Sequence, residues 1–561
     1  MSRTGGKLLA DQLVLHGCEL AFCVPGESYL PLLDGLFDHR ERLRVVTCRH
    51  EASAANAAEA TGKLTGRPGV CMVTRGPGAT HASVGVHTAR QDSTPLILLV
   101  GQVSRAHRGR EAFQEVDLEA MFGPLAKAVI EIDDADRIPE LTAGAFTLAT
   151  SGRQGPVVVS LPEDVLSEPS DAPDAAPYRA REPVADPRAV AALKALLEGA
   201  ERPFVLVGGG PWDADACAHL TAWAQACGLP VAASFRRQDI VDNERGCYAG
   251  DVGLGVNPAL ARRIRQADLM IAIGPRLTEI ETQGYTLPQP PVAHQTLVHV
   301  HPDPDELGRV YQPRLGILAA ARSFASAIDA SARVSGERWA EWTHAARADY
   351  EEWSTPALRD SGDGVDLGHV VSLLRAALAD DAIICNGAGN YTVWVHRFFR
   401  YRRWGTQLAP QSGAMGYGVP AALAAQLLRP ASPVVALAGD GCFQMCGQEL
   451  ATMVQERLPI IVIIANNRML ATIRMHQERR FPARVIATDL VNPDFAALAR
   501  ACGVHGERVE RTEEFAEAFA RARAAGGPAV LELMTDPEAL TPAASLSETR
   551  ARAQATAGDA R

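Results

Sequence analysis

Residues Val434 to Ile473 have the sequence VVALAGDGCFQMCGQELATMVQERLPIIVIIANNRMLATI. It begins with an apolar run that ends at Gly439-Asp440-Gly441, continues in a helical pattern, and returns to an apolar run that ends at Asn466-Asn467. This alternation predicts a strand, a turn, a helix and a second strand, with a turn at the carboxyl end of each strand. Open α/β sheets bind their ligands at that edge.

The residues in these two turns suit a metal-bound diphosphate. Gly441 lets the backbone approach a phosphate, and the helix that follows offers unpaired N–H groups. Asp440 and Asn467 each supply an oxygen, and Mg²⁺ commonly takes one or two protein oxygens and completes its shell with phosphate and water. The alternative is an ordinary turn in which the aspartate caps the helix. The two asparagines at the next strand end favour the metal–diphosphate interpretation.

Five further motifs extend this pattern over nearly the whole chain. They are Arg49-His50-Glu51, Gly76-Pro77-Gly78-Ala79-Thr80, Gly101-Gln102-Val103, Ala112-Phe113-Gln114-Glu115 and Gly413-Ala414-Met415-Gly416-Tyr417-Gly418. In this order they resemble the motifs of the thiamin diphosphate-dependent decarboxylases and carboligases, and most of all the acetolactate synthase catalytic subunits. The resemblance implies an α/β fold of three doubly wound parallel-sheet domains. The first would bind the pyrimidine, the second would be the central domain and the third would bind the diphosphate.

Composition and charge exclude several classes of protein. The 561 residues are too many for one core, and 47% hydrophobic with 22% charged residues is typical of a globular enzyme. A net charge of −11 without a basic run argues against nucleic acid or an anionic membrane as a partner. The N-terminus lacks the apolar core of a signal peptide, and the eleven cysteines are scattered. We therefore expect a cytoplasmic protein without disulfides.

Shifts in composition place the domain boundaries. We expect a pyrimidine-binding domain at residues 1–166, a proline-rich linker at 167–187 and a central α/β domain at 188–332. A connector at 333–365 leads to a diphosphate-binding domain at 366–540, and a polar tail without fixed structure follows at 541–561. Alternating strands and helices in the first and last of the three domains indicate one shared plan.

Two strands of the central domain end in glycine, at Gly208-Gly209-Gly210 and at Gly274. Such strand ends are compatible with a nucleotide site and equally with a domain that only spaces the other two. The resemblance implies FAD here, as a cofactor that takes no part in the chemistry, with Arg276 near it.

The resemblance also assigns the cofactor residues. It makes Asp440, Asn467 and the backbone carbonyl of Met469 the ligands of Mg²⁺. The residues it places against the diphosphate are Asn390, Tyr391, Gly439, Gly441 and Cys442. The backbone at Gly413 and Met415 would bind the pyrimidine edge, and the Met415 side chain would hold the cofactor bent. Core packing is the alternative role for Met415.

In the family, a glutamate lies against the pyrimidine ring nitrogen and drives removal of the C2 proton, and Glu51 matches it. The alternative is a helix-start glutamate favoured by the helix dipole. Phe113 and Gln114 match residues that line the substrate space, and Lys127 matches a lysine at its mouth. Two positions depart from the synthase pattern. Glu27 would put an acid near the reacting carbon, and His476 stands in place of a tryptophan that selects the second keto acid.

Three functions remain open from these residues. The first is decarboxylation of a 2-keto acid, pyruvate by default, and transfer of the fragment to a second 2-keto acid. The second is a thiamin-dependent decarboxylase, lyase or acyltransferase acting on another keto acid, which Glu27 and His476 favour. The third is a flavin-dependent keto-acid oxidoreductase. The resemblance further implies a homodimer with shared active sites that assembles into a tetramer.

Overall fold

The computed structural model describes residues 2–357 and 364–559. Residues 358–363 of the predicted connector lie outside this range. The chain divides into two compact units, residues 1–184 with 302–304 and residues 185–301 with 305–561. The described residues form three six-stranded sheets and two short two-stranded ones. Among them, no helix is long and apolar enough to span a membrane.

The first unit is a parallel sheet of order β3-β2-β4-β5-β7-β6 with helices around it. Its elements are β1 Arg3–Thr4, α1 Gly5–Leu15, β2 Leu20–Cys23, α2 Leu30–Asp38, β3 Arg44–Thr47, α3 Glu51–Thr65, β4 Gly69–Val73, α4 Pro77–Asp92, β5 Leu96–Gln102, α5 Leu118–Phe122, β6 Ala128–Glu131, α6 Ile138–Thr150, β7 Pro156–Pro162, α7 Glu163–Ser167 and β8 Pro169–Ser170. The central strands β4 and β5 are buried along their whole length, as continuous apolar runs in a covered parallel sheet require.

The predicted linker follows this sheet. It pairs β8 with β1 at the chain start and then continues to residue 186 without a helix or strand. Arg3 of β1 and Gln12 of α1 both donate to the Asp174 carboxylate, which fixes the linker on the first unit.

The second unit contains two six-stranded sheets and a short two-stranded one. Its central part consists of α8 Pro187–Gly199, β9 Pro203–Val207, α9 Ala214–Ala226, β10 Val231–Ala233, β11 Tyr248–Asp251, α10 Pro258–Gln266, β12 Leu269–Ile273, β13 Thr296–His301, β14 Leu315–Leu318, α11 Ala321–Ser331 and α12 Ala340–Trp353. The parallel sheet has the order β11-β10-β9-β12-β13-β14, which is the dinucleotide-binding order 3-2-1-4-5-6.

The last sheet carries the quoted stretch. Its elements are α13 Leu367–Ala377, β15 Ile383–Asn386, α14 Tyr391–Phe398, β16 Gln407–Leu408, α15 Gly418–Leu428, β17 Val434–Gly439, α16 Asp440–Phe443, α17 Leu450–Glu456, β18 Ile461–Asn466, α18 Ala471–Arg480, α19 Phe495–Ala501, β19 His505–Val509, α20 Phe515–Ala524 and β20 Ala529–Met534. Its order, β16-β15-β17-β18-β20-β19, is 2-1-3-4-6-5 counted within the sheet, as in the first unit. The shared plan expected from the sequence is confirmed at the level of topology.

The central and last sheets belong to one compact unit because polar groups join them. The buried carboxylate of Asp239 accepts from the backbone N–H groups of 405, 406 and 407. The side chains of Gln238 and Gln407 bond each other at 2.9 Å, and the buried Arg236 guanidinium donates to the Pro410 carbonyl. Sequence patterning separated these domains but gave no sign of this interface.

The chain end differs from expectation. A hairpin of β21 Ala539–Thr541 and β22 Ala544–Ser545 leads into α21 Leu546–Asp559, so a tail without fixed structure is wrong for these residues. Leu540 and Leu546 join a buried cluster with Met469 and Met475, and Arg550 pairs with the fully buried Glu478 at 2.5 Å. Leu540, Leu546 and Arg550 therefore hold this C-terminal segment against the rest of the unit, although its composition is otherwise polar.

Candidate active site

A cavity of about 560 Å³ lies in the second unit, at the carboxyl ends of β15, β17 and β18. Its volume is typical of a small-molecule site. All ten residues that the resemblance assigns to the cofactor line it: Asn390, Tyr391, Gly413, Met415, Gly439, Asp440, Gly441, Cys442, Asn467 and Met469. The fold thus brings together residues spread over 80 positions of sequence, while the group that each one contacts stays a prediction.

Asp440 occupies the start of α16 and is almost fully buried. One carboxylate oxygen accepts from the Gly441 N–H at 2.8 Å, and the other accepts from Asn492 Nδ2 at 2.7 Å. Burial raises the pKa of Asp440, against these hydrogen bonds. In the described part of the chain no basic side chain pairs with it. A buried carboxylate without a cationic partner fits a bound Mg²⁺, which would compensate the cost of its burial.

Strand pairing holds the turn after β18 next to the turn after β17. Gly439 of β17 lies opposite Ala465 of β18, so the residues after both strands share one edge. Asn467 Oδ1 accepts from the Met469 N–H at 3.2 Å, and Leu470 N–H donates to the Thr488 carbonyl at 2.8 Å. The segment around residue 490 therefore covers the turn and delivers Asn492 to Asp440. No spacing in the sequence indicated this contact.

Three of the residues that line the cavity also form hydrogen bonds with other residues of the chain. Asn390 accepts from the Thr472 hydroxyl at 2.8 Å and donates to the Leu540 carbonyl at 3.0 Å. The Tyr391 hydroxyl accepts from the Gly387 N–H at 3.0 Å, and Cys442 Sγ accepts from the Gly416 N–H at 3.2 Å. These bonds make their side chains part of a fixed wall, so their contact with a diphosphate stays a prediction.

Met415 stands between two glycines with left-handed backbone, Gly413 at φ +71° and Gly416 at φ +77°. Glycine adopts this conformation without steric cost. The Met415 side chain packs beside the hydrophobic core and also lines the cavity. Core packing therefore helps to hold Met415 at the cavity wall, and its role in bending the cofactor stays a prediction.

The C-terminal hairpin forms one wall of the cavity, which the sequence did not indicate. Its lining residues are Thr535, Asp536, Glu538, Ala539, Thr541, Pro542, Ala544 and Ser545. The salt bridge between Glu478 and Arg550 holds the helix that follows this wall.

Arg550→Ala should loosen the hairpin and weaken cofactor binding. It leaves Glu478 buried without its partner, and we expect amide exchange in 538–559 to rise roughly tenfold by mass spectrometry. Arg550 lowers the pKa of Glu478, so the contact stabilises fully above the ordinary value of about 4.5 and is lost as the pH falls through the lowered value. Arg552→Ala, at an exposed position of the same helix, is the control. Equal exchange in both variants would contradict the anchoring role.

In the first unit, Glu51 begins α3 directly after β3, at the carboxyl edge of the sheet. Its carboxylate is 14% exposed and bonds His81 Nδ1 of α4 at 2.9 Å. The His81 ring is 51% exposed and stacks on the His50 ring with 4.7 Å between centroids. His50 Nδ1 accepts from the Ala52 N–H, which fixes its orientation. The sequence placed Glu51 correctly at a helix start but did not indicate His81.

Arg75 organises the predicted substrate loops of the same unit. Its nearly buried guanidinium bonds Glu163 at 3.0 Å and the Phe113 carbonyl at 3.2 Å, and it lies 3.9 Å from the Glu27 carboxylate. The Phe113 side chain is 75% exposed. Gln114 has a left-handed φ of +63°, and its buried Oε1 has no hydrogen-bond partner among the described residues. The structure therefore brings Glu27, Phe113 and Gln114 to one place.

Two other predicted residues lie in different surroundings. Lys127 Nζ donates to the Arg153 carbonyl at 2.9 Å and to the Ser151 carbonyl, and burial lowers its pKa to about 8. His476 is exposed on α18, whose first residues Ala471, Thr472 and Ile473 line the cavity. The substrate roles assigned to Lys127 and His476 stay predictions.

The glycine-ended strands of the central sheet meet each other directly. A Cβ on Gly209 would overlap the Gly274 carbonyl, and the buried Trp212 indole donates to the Gly208 carbonyl at 2.8 Å. The two glycine-ended loops thus pack directly on each other. The FAD that the resemblance implies at this edge, with Arg276 near it, stays a prediction.

The resemblance predicts that the purified protein binds FAD. After incubation with FAD and gel filtration, the protein fraction should show the visible absorbance of a flavin. A protein fraction without this absorbance would favour the spacer role of the central domain.

Comparison with known proteins agrees with this geometry. Family models for the thiamine pyrophosphate enzyme match three parts of the chain, the N-terminal TPP binding domain at 3–121, the central domain at 190–328 and the C-terminal TPP binding domain at 387–533. The chain belongs to the thiamine pyrophosphate enzyme family and is a thiamin diphosphate-dependent enzyme.

Its similarity extends to named synthases. It is 31% identical to the acetolactate synthase large subunit IlvB1 of Mycobacterium tuberculosis, over 96% of this chain and 88% of that one. It is 32% identical to the acetolactate synthase large subunit of Corynebacterium glutamicum, over 93% and 84%. It is 29% identical to the acetolactate synthase isozyme 2 large subunit of Escherichia coli, over 95% of both.

Proposed function

We propose that this protein decarboxylates a 2-keto acid, pyruvate by default, and transfers the two-carbon fragment to a second 2-keto acid, as an acetolactate synthase does. The observation that carries the proposal is the cavity in which the buried Asp440 meets Asn467 and Met469 at the carboxyl edge of a parallel sheet. The similarity to acetolactate synthases over nearly the whole chain supports the reaction type.

The chain's own residues have distinct tasks in this proposal. Asp440, Asn467 and the Met469 carbonyl hold Mg²⁺ and through it the diphosphate. Met415 supports the bent cofactor, and Glu51 holds a proton at the pyrimidine ring nitrogen. Thiamin diphosphate, when bound, supplies the electron sink for the loss of CO₂. All eleven cysteines are free thiols and ten are buried, which supports the reducing cytoplasm as the location.

The second function, another thiamin-dependent reaction, rests on Glu27. Its carboxylate is 60% exposed and lies beside Arg75, so the pair adds charge to loops that the resemblance places near the reacting carbon. The third function, a flavin-dependent keto-acid oxidoreductase, rests on the FAD that the resemblance implies in the central domain.

Product analysis separates these functions. Purified protein with thiamin diphosphate, Mg²⁺ and ¹³C-labelled pyruvate should release CO₂ and form 2-acetolactate, identified by mass spectrometry. Acetaldehyde alone would favour a decarboxylase, and hydrogen peroxide would favour the oxidoreductase. No turnover of pyruvate would contradict the default substrate.

We expect little preference for 2-ketobutyrate over pyruvate as acceptor, because His476 replaces the selecting tryptophan. Loss of a large apolar contact removes about 1–3 kcal/mol of discrimination. A competition assay with both acceptors measures the product ratio, and His476→Trp should raise the share of the 2-ketobutyrate product. A strong preference in the wild type would show that another residue selects the acceptor.

A further inference from the structure

The hydrogen bond between Glu51 and His81 links a shielded carboxylate to a side chain that is half exposed in the single chain. Glu51 has one side-chain partner among the described residues, His81 Nδ1 at 2.9 Å. In the single chain the Glu51 carboxylate is 14% exposed and the His81 side chain is 51% exposed. An imidazole has two ring nitrogens, so it can take a proton on one and release a proton from the other.

The other titratable groups around Glu51 do not offer such a path. The Tyr29 hydroxyl is buried and donates to the Val24 carbonyl, and burial raises the pKa of both Tyr29 and Cys71. His50 faces the pair from the helix start, but its Nδ1 already accepts from the Ala52 N–H. The stacked His50 ring holds His81 in its orientation without itself bonding Glu51.

We propose that His81 is the proton carrier between Glu51 and water, acting through Glu51 on the cofactor. This rests on the proposed function, in which each removal of the cofactor's C2 proton leaves one proton to be passed on from the pyrimidine. Glu51 gives that proton to His81 Nδ1, and His81 releases the proton on Nε2 to a water molecule or a buffer base. The reverse transfer returns a proton to Glu51, so no other reactant is needed.

The proposal predicts a dependence on buffer that a structural role does not produce. His81→Asn keeps an amide near Glu51 but cannot carry a proton. In the holoenzyme with thiamin diphosphate and Mg²⁺ and without substrate, C2 exchange with D₂O, followed by quenched-flow and proton NMR, should be about tenfold slower at low buffer concentration. Added imidazole should restore the rate in proportion to its concentration, while the wild type should be insensitive to it.

Control variants distinguish a proton-carrying role of His81 from a structural one. His87→Asn, at an exposed position of the same helix, should behave as the wild type, and His81→Gln serves as a second variant if His81→Asn does not fold. Exchange in the His81 variants equal to the wild type at every buffer concentration would overturn the proposal, as would a slow rate that imidazole does not restore. A wild type that binds thiamin diphosphate and exchanges C2 leaves the proposed function standing in either case. A wild type that does not bind it overturns both.

Discussion

Asp440→Ala should leave the apoprotein folded and abolish its retention of thiamin diphosphate. Loss of an outer-shell partner typically costs 10–100-fold in metal affinity, and loss of a charged ligand should cost more. Because burial raises the pKa of Asp440, removing the carboxyl should not destabilise the fold without cofactor. The measurement is thermal unfolding with and without thiamin diphosphate and Mg²⁺, in which the variant should show no upward shift.

Two further variants should weaken cofactor binding by smaller amounts. Asp440→Asn keeps one ligand oxygen without the charge and should bind with intermediate affinity. Asn492→Ala removes the hydrogen bond to Asp440 Oδ2 and should weaken binding by about 10–100-fold while leaving the ligands in place. Normal cofactor binding by Asp440→Ala would end the assignment of this carboxylate to the metal.

Glu51→Gln and Asp440→Ala should each be nearly inactive, yet restore activity when combined in one dimer. We propose a two-fold dimer in which Glu51 of one chain faces the cofactor that Asp440 of the other chain holds. One site of a mixed dimer then collects both defects and the other has neither. Random pairing at equal amounts should give about a quarter of wild-type activity, and mixed dimers purified through two different tags about half.

A matched pair of variants tests the geometry behind this result. Asp440→Ala combined with Asn467→Ala places one defect in each site, because both residues line the same cavity, so no activity should return. Further assembly of dimers into tetramers leaves both expectations unchanged. If the Glu51 and Asp440 variants do not complement in mixed dimers confirmed by native mass spectrometry, both residues act in a site made by one chain.

The sequence alone predicted the features that depend on local residue patterns. Apolar runs that end at Gly439 and at Asn466 define neighbouring strand ends, and strand pairing then aligns the two turns. The ten residues predicted to bind the cofactor line one cavity because each follows a strand end or lies at the start of a helix at the same sheet edge. Glu51 was placed by the same reasoning, from the strand before it and the helix that it begins.

Contacts set by tertiary packing could not be predicted in this way. Asn492 reaches Asp440 only because a segment after α18 folds back over the turn. The bond of His81 to Glu51 depends on how α3 packs on α4, which no local pattern in the sequence shows. The C-terminal residues appeared polar and unstructured because the buried Glu478, with which Arg550 pairs, lies 72 positions earlier.

The position of the bound metal is the decisive test of the cofactor site. Crystals of the enzyme grown with thiamin diphosphate and Mn²⁺ in place of Mg²⁺ allow the ion to be located from its anomalous scattering. We predict one ion per chain bonded to Asp440 Oδ, Asn467 Oδ1 and the Met469 carbonyl, at a distance near the roughly 2.1 Å typical of Mg²⁺, with the diphosphate completing its shell. An ion at any other residues, or a diphosphate outside the cavity at the ends of β17 and β18, would contradict the interpretation of residues 434–473 as a metal–diphosphate site.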